Sequence, residues 1–176
     1  MSIDNKSLWD NMIVRDSKIS QLATIVEKIK ANKARYEKVS AATSVPWYVI
    51  GAIHYREASL NFTRHLHNGD KLTSKTIHVP AGRPIKGNPP FTWEESATDA
   101  LKYQKLDKVT DWGISNTLDL LEKYNGLGYR KKGLSSPYLW SFTSNYETGK
   151  YVADGKFDPL YVDGQCGVAP IIKLLM

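Results

Sequence analysis

Glu57 sits at the end of an unusually apolar stretch, Val45-Pro46-Trp47-Tyr48-Val49-Ile50-Gly51-Ala52-Ile53-His54-Tyr55-Arg56-Glu57. Apolar side chains fall on nearly every face of this stretch, so it predicts a buried helix. Pro46 suits its first turn and Ser44 is a plausible N-cap. A carboxylate delivered to the C-terminal end of such a helix faces burial and an unfavourable dipole, both of which raise its pKa. A raised carboxyl pKa is what a general acid needs near neutral pH. The competing reading is an ion pair with Arg56 or His54. Asp70 follows in His67-Asn68-Gly69-Asp70, with Glu94, Glu95 and Asp99 beyond it. Two carboxyl groups on facing elements are what glycosidic cleavage requires, one to protonate the leaving oxygen and one to stabilise or hydrate the sugar centre. Asp70 is also an ordinary residue for a turn after Asn-Gly.

Other chemistries find less support. All four histidines, His54, His65, His67 and His78, lie within 25 residues of one another, yet no pair has a recognised metal-ligand spacing. No metal and no cofactor is expected. No Gly-x-Ser-x-Gly elbow or phosphate-cradling glycine loop occurs. Cys166, the only cysteine, sits in Asp163-Gly164-Gln165-Cys166-Gly167 and reads as buried and inert. Five Trp and ten Tyr suit a saccharide site, because sugar C–H faces pack on aromatic faces.

The elements that must hold these residues are mainly helical. Leu8, Met12, Ile19, Leu22, Ile25, Val26 and Ile29 predict an amphipathic helix within residues 1–40, from about Leu8 to Tyr36. Residues 61–90 are rich in Gly and Pro, contain the tight-turn pair Asn68-Gly69, and predict an irregular β-hairpin lobe. Thr92-Trp93-Glu94-Glu95 is a capping box that opens a helix carrying Ala97, Ala100 and Leu101. A further helix runs from about Trp112 to Tyr124 and stops at Asn125-Gly126. Pro170 to Met176 predicts a short apolar helix. The fold class is therefore α+β, mainly α, with a small β lobe and one domain across 1–176.

With 176 residues, 41% apolar and 24% charged, the composition is that of a soluble globular protein. The net charge of +6 suits polyanionic partners: nucleic acid, anionic lipid or anionic wall polymers. The cations are scattered and match no nucleic-acid motif, so no nucleic acid is expected. No run approaches a membrane span and the N-terminus lacks a secretory pattern, which predicts synthesis in the cytoplasm without membrane insertion.

Three segments resemble the lysozyme superfamily, in its goose-type and lytic-transglycosylase-like branches and its phage endolysin-type members. One is Ala52-Ile53-His54-Tyr55-Arg56-Glu57-Ala58-Ser59-Leu60-Asn61-Phe62; the family usually places Ser directly after Glu, and here Ala58 stands between. Another is Lys123-Tyr124-Asn125-Gly126-Leu127-Gly128-Tyr129, similar to a Tyr-Asn-x-Gly motif. The third runs from Leu66 through His78-Val79-Pro80 to Trp93-Glu94, with Tyr151 to Lys156 in addition. The resemblance implies a lysozyme-like domain flanking a cleft, with Glu57 as general acid and Asp70 as the lobe carboxylate. Tyr124 and Asn125 would line the sugar cleft, with Tyr129, Trp93 and His54 as further substrate contacts. It implies cleavage of the β-1,4 bond between N-acetylmuramic acid and N-acetylglucosamine in peptidoglycan by a monomeric muramidase, an endolysin reaching the wall after holin-type release. The alternatives are a lytic transglycosylase using Glu57 alone and a non-catalytic wall-glycan-binding module.

Overall fold

The N-terminal segment does not form the single long helix that its periodicity predicts. In the computed structural model, which describes residues 3–176, three helices share this stretch: α1 (Asn5–Asp10), α2 (Ile19–Ala31) and α3 (Lys33–Thr43). Tertiary pairing causes the first break. Val14 forms an isolated antiparallel bridge with Thr143, and the Arg15 amide donates to the Phe142 carbonyl at 2.9 Å. The second break falls at Asn32, whose side-chain amide donates to the Lys28 carbonyl, the local competition that makes Asn a poor helix-interior residue.

Next comes α4 (Trp47–Ala58), the buried helix expected from its apolar run. Ser44 does not cap it. Ser44 closes α3 in the left-handed conformation, and Pro46 occupies the N-cap of α4 with no side-chain hydrogen bond. α5 (Trp93–Tyr103) starts from the expected capping box: the Thr92 hydroxyl accepts from the Glu95 amide, and the Glu95 carboxylate accepts from the Thr92 amide. α6 (Ile114–Asn125) stops at Gly126, which takes φ 106° and so does what a residue with a Cβ does poorly. Two short helices follow, α7 (Gly128–Lys131) and α8 (Pro137–Trp140). After them come strands β1 (Lys150–Ala153) and β2 (Lys156–Asp158), then α9 (Val168–Leu175).

The chain is mainly helical with a small antiparallel β1–β2 pair. That pair lies outside residues 61–90. Within 61–90 the only ladder contact among the described residues is an isolated bridge, Arg64 to Lys71. The lobe is irregular because scattered turn bonds of its own backbone and side-chain bonds, rather than a partner strand, satisfy its amides and carbonyls.

Two compact units emerge, and the boundary falls inside α2. One comprises residues 3–26 with Gly113–Met176, the other Glu27–Trp112. In the first, Leu118, Leu139, Trp140, Val168 and Ile171 are fully buried, as is Cys166. One of its buried carboxylates, Glu122 on α6, accepts from the Asn5 side chain at 2.8 Å and from Arg130 Nε at 3.0 Å, so α1 and α7 are fastened to α6 by one charge. A carboxylate is tolerated inside only with such partners.

In the second unit α3 packs on both α4 and α5. Ile29 of α2 presses on α4 at Gly51, where an added Cβ would lie 2.5 Å from Ile29 Cγ2. Gly51→Ala should therefore overpack this contact, lowering stability by about 1–3 kcal/mol despite the better helix propensity of Ala. A denaturant midpoint equal to or above wild type would contradict that packing.

Candidate functional site

Glu57 occupies the last turn of α4 and is half-buried. The helix ends abruptly. Ser59 and Leu60 both adopt positive φ, 50° and 61°, while their amides donate back to the Tyr55 and His54 carbonyls. Two successive non-glycine residues in the left-handed region cost on the order of 1–3 kcal/mol each, and such strain persists only where surrounding structure dictates it. The turn at Asn68-Gly69 lies against the same helix end: a Cβ on Gly69, whose φ is +80°, would sit 4.0 Å from the Glu57 carbonyl oxygen. The lobe therefore reaches the acid-bearing turn through its backbone.

One turn earlier, His54 is fully buried. Its Nδ1 lies 3.0 Å from the Tyr36 hydroxyl, and its ring packs on Phe62 and Trp93 at centroid separations of 4.6 and 4.5 Å. Burial pushes its pKa down to about 4, although the Asn61 backbone opposes the shift. Trp93 is likewise buried, at 1% exposure. The sequence-based assignment of His54 and Trp93 as substrate contacts gives way to a core role: with 0% and 1% of their surface accessible, neither ring has a face for a sugar. Arg35 closes this cluster from outside. Its guanidinium stacks 4.0 Å from the Phe62 centroid and forks onto Glu94 at 2.7 and 3.0 Å. Glu94 is thereby an ion-pair partner, held below the usual carboxylate range by Arg35.

Asp70 is engaged within its own loop. The Ile77 and His78 amides donate to Oδ2 at 2.8 and 2.9 Å, and His78 Nδ1 donates to Oδ1 at 2.6 Å. The His78 side chain first, and its amide second, hold the carboxyl well below the ordinary range. The arrangement makes Asp70 a clamp for residues 70–78 and a weak base. Neighbouring polar groups continue this pattern. His65 donates from Nε2 to the Ser74 carbonyl and meets the Ser96 hydroxyl at Nδ1. Asp99 of α5 receives His67 Nε2 at 2.7 Å and a bidentate Arg83 at 2.9 Å, so it fastens the lobe to α5. Burial pushes the His67 pKa down, against the pull of Asp99. Arg35, Arg83 and Ser96 escaped the sequence reading because their partners are distant along the chain; His78 enters that reading as a candidate metal ligand, not as the partner of Asp70. Among the described residues no group of three or more His, Cys, Asp or Glu is arranged to hold a metal ion.

The remaining candidates, Tyr124, Asn125 and Tyr129, belong to the other unit. Asn125 is exposed at the end of α6, and Tyr124 is half-buried with its ring 6.4 Å from that of Tyr138. Tyr129 is buried; its hydroxyl accepts from the Tyr151 amide at 2.9 Å, and its ring packs edge-on against Tyr151. Its position is that of a support for β1.

Because the folded pKa of His54 lies below the unfolded value, its contribution to stability is full above about pH 6.5 and declines as pH falls toward 4. At pH 4 the loss should reach about 3 kcal/mol, read as a fall in urea midpoint that a His54→Gln variant flattens. For Asp70 the carboxyl pKa is depressed, so its clamp should be intact above about pH 4 and fail only well below the ordinary Asp range. Asp70→Asn at neutral pH should accelerate hydrogen exchange at the Ile77 and His78 amides, while exchange in α5 is unchanged. Comparison with known proteins gave no match to any family model, curated protein or solved structure.

Proposed function

We propose that this chain cleaves the glycan strands of peptidoglycan at the β-1,4 bond after N-acetylmuramic acid, with Glu57 as the general acid. The observation that carries the reading is the half-buried Glu57 in the last turn of a buried helix, followed at once by two strained residues and flanked by the lobe turn. The ordered lysozyme-like segments in the sequence add to it. In this mechanism the Glu57 carboxyl gives its proton to the glycosidic oxygen as the C1–O bond breaks, leaving an oxocarbenium-like centre on the muramic ring.

A muramidase asks Asp70 to position water at that centre. The engagement of both Asp70 oxygens by His78 and two amides favours the second reading, a lytic transglycosylase. There the muramic 6-hydroxyl attacks C1 and returns its proton to the Glu57 carboxylate, so one carboxyl group suffices.

Glu57→Gln should cut clearing of purified sacculi by about 100-fold or more while circular dichroism and melting stay as in wild type. Undiminished clearing by the folded variant would overturn the assignment. Binding of sacculi without release of soluble fragments would replace catalysis with a wall-binding role. Mass spectrometry of the products separates the two reactions: anhydro-muramic ends mark the transglycosylase, and reducing ends mark the muramidase.

A further inference from the structure

Residues 61–90 carry five cationic side chains, Arg64, Lys71, Lys75, Arg83 and Lys86, against a single carboxylate, Asp70. Much of the chain's net charge of +6 is thus concentrated in one segment. Asp70 is consumed inside the loop by His78 and two amides, while Arg83 is neutralised by Asp99. Lysines then dominate the outward charge of the lobe.

The same segment exposes three large aliphatic side chains: Ile77 at 75%, Val79 at 88% and Ile85 at 67%. Single exposed aliphatics are common on protein surfaces. Three within nine residues, on a loop whose shape is fixed, leave an unusual amount of aliphatic surface outside, as binding surfaces do; Ile85 and Lys86 in addition border a cavity of about 680 Å³ with Glu94 and Glu95 of α5. The loop is fixed by its own bonds. The Thr76 amide donates to the Arg83 carbonyl, the Gly82 amide donates to the Thr76 carbonyl, and the Thr76 hydroxyl donates to the Pro80 carbonyl. Lys75 Nζ donates to the Ile85 carbonyl at 3.2 Å, so the Ile85 segment is tied to the one bearing Ile77 and Val79.

We infer that this lobe is a contact site for an anionic lipid surface. Ile77, Val79 and Ile85 enter the boundary between headgroups and acyl chains, and the lysines pair with lipid phosphates. The occupant follows from charge and residue type. Lysine surplus complements an anionic surface. A protein partner is disfavoured because the protruding residues are aliphatic, whereas protein–protein hot spots concentrate in Trp, Tyr and Arg. The contact is peripheral: among the described residues no helix is long and apolar enough to cross a membrane. Lipid contact by the lobe is independent of the glycan-cleaving role of Glu57.

The test is co-sedimentation of the full chain with phosphatidylcholine vesicles, with and without phosphatidylglycerol, at low and high salt. Wild type should bind the phosphatidylglycerol vesicles and release them as salt rises. The Ile77→Ser/Val79→Ser double variant should lose about tenfold in affinity. Lys86→Gln should lose about fivefold. All the altered side chains are exposed, so melting temperatures should match wild type. Absence of binding to anionic vesicles, equal binding to neutral ones, or undiminished binding by the double variant would each overturn the inference. Patch-dependent binding to purified sacculi without vesicle binding would also overturn it and give the patch to a wall polymer.

Discussion

The Glu27–Trp112 unit depends on one constraint: an imidazole must remain uncharged inside its core. His54 has no accessible surface, and its Nδ1 is met by the Tyr36 hydroxyl. Around that pair Phe62 and Trp93 close a cluster to which α3, α4, α5 and the beginning of the lobe each contribute a ring. A buried polar ring is tolerable only while neutral and hydrogen-bonded, which makes its position demanding. Fixing His54 fixes the last turn of α4. Glu57, one residue short of a turn further on, inherits that rigidity, and the strained pair Ser59-Leu60 redirects the chain immediately afterwards.

The lobe obeys a different logic. It has few apolar residues in its interior, Leu66 and Leu72 being the buried ones of note, with Phe91 just beyond it, and no strand ladder to absorb its amides and carbonyls. Isolated turn bonds and side chains share that task. Asp70 gathers two amides and an imidazole, Thr76 bonds across a loop of several residues, and Asp99 receives a histidine and an arginine. Long irregular segments are costly to order unless such bonds offset the lost entropy. Ile77, Val79 and Ile85 stay outside this loop, whose backbone is held from within by Asp70 and Thr76.

Asp70 illustrates how one residue acquires a role from its surroundings. As a carboxylate close in sequence to the proposed acid it invites a catalytic reading. Its bonds instead make it a poor base and a good clamp. His54 and Trp93 undergo a similar change, since residue type suits a sugar but the location is a packed interior. Tyr129, again an aromatic suited to a sugar, is held by the Tyr151 amide.

Local signals were legible in the chain itself. The apolar run ending at Glu57, the Thr92–Glu95 capping box, the stop at Asn125-Gly126, the apolar tail helix and the buried Cys166 all follow from residue chemistry within a few positions, because capping, helical periodicity and glycine turns act over that range. The sequence by itself also determined the mainly helical class and the charge surplus. Only the tertiary structure decided the first break of the N-terminal helix, since Val14 and Arg15 pair with residues more than a hundred positions away. It alone decided that the lobe is stapled by side chains rather than paired as strands, and which polar side chains are core, clamp or surface. Those outcomes depend on partners such as Tyr36 for His54 and Asp99 for Arg83, whose proximity arises from packing and leaves no periodic trace along the chain.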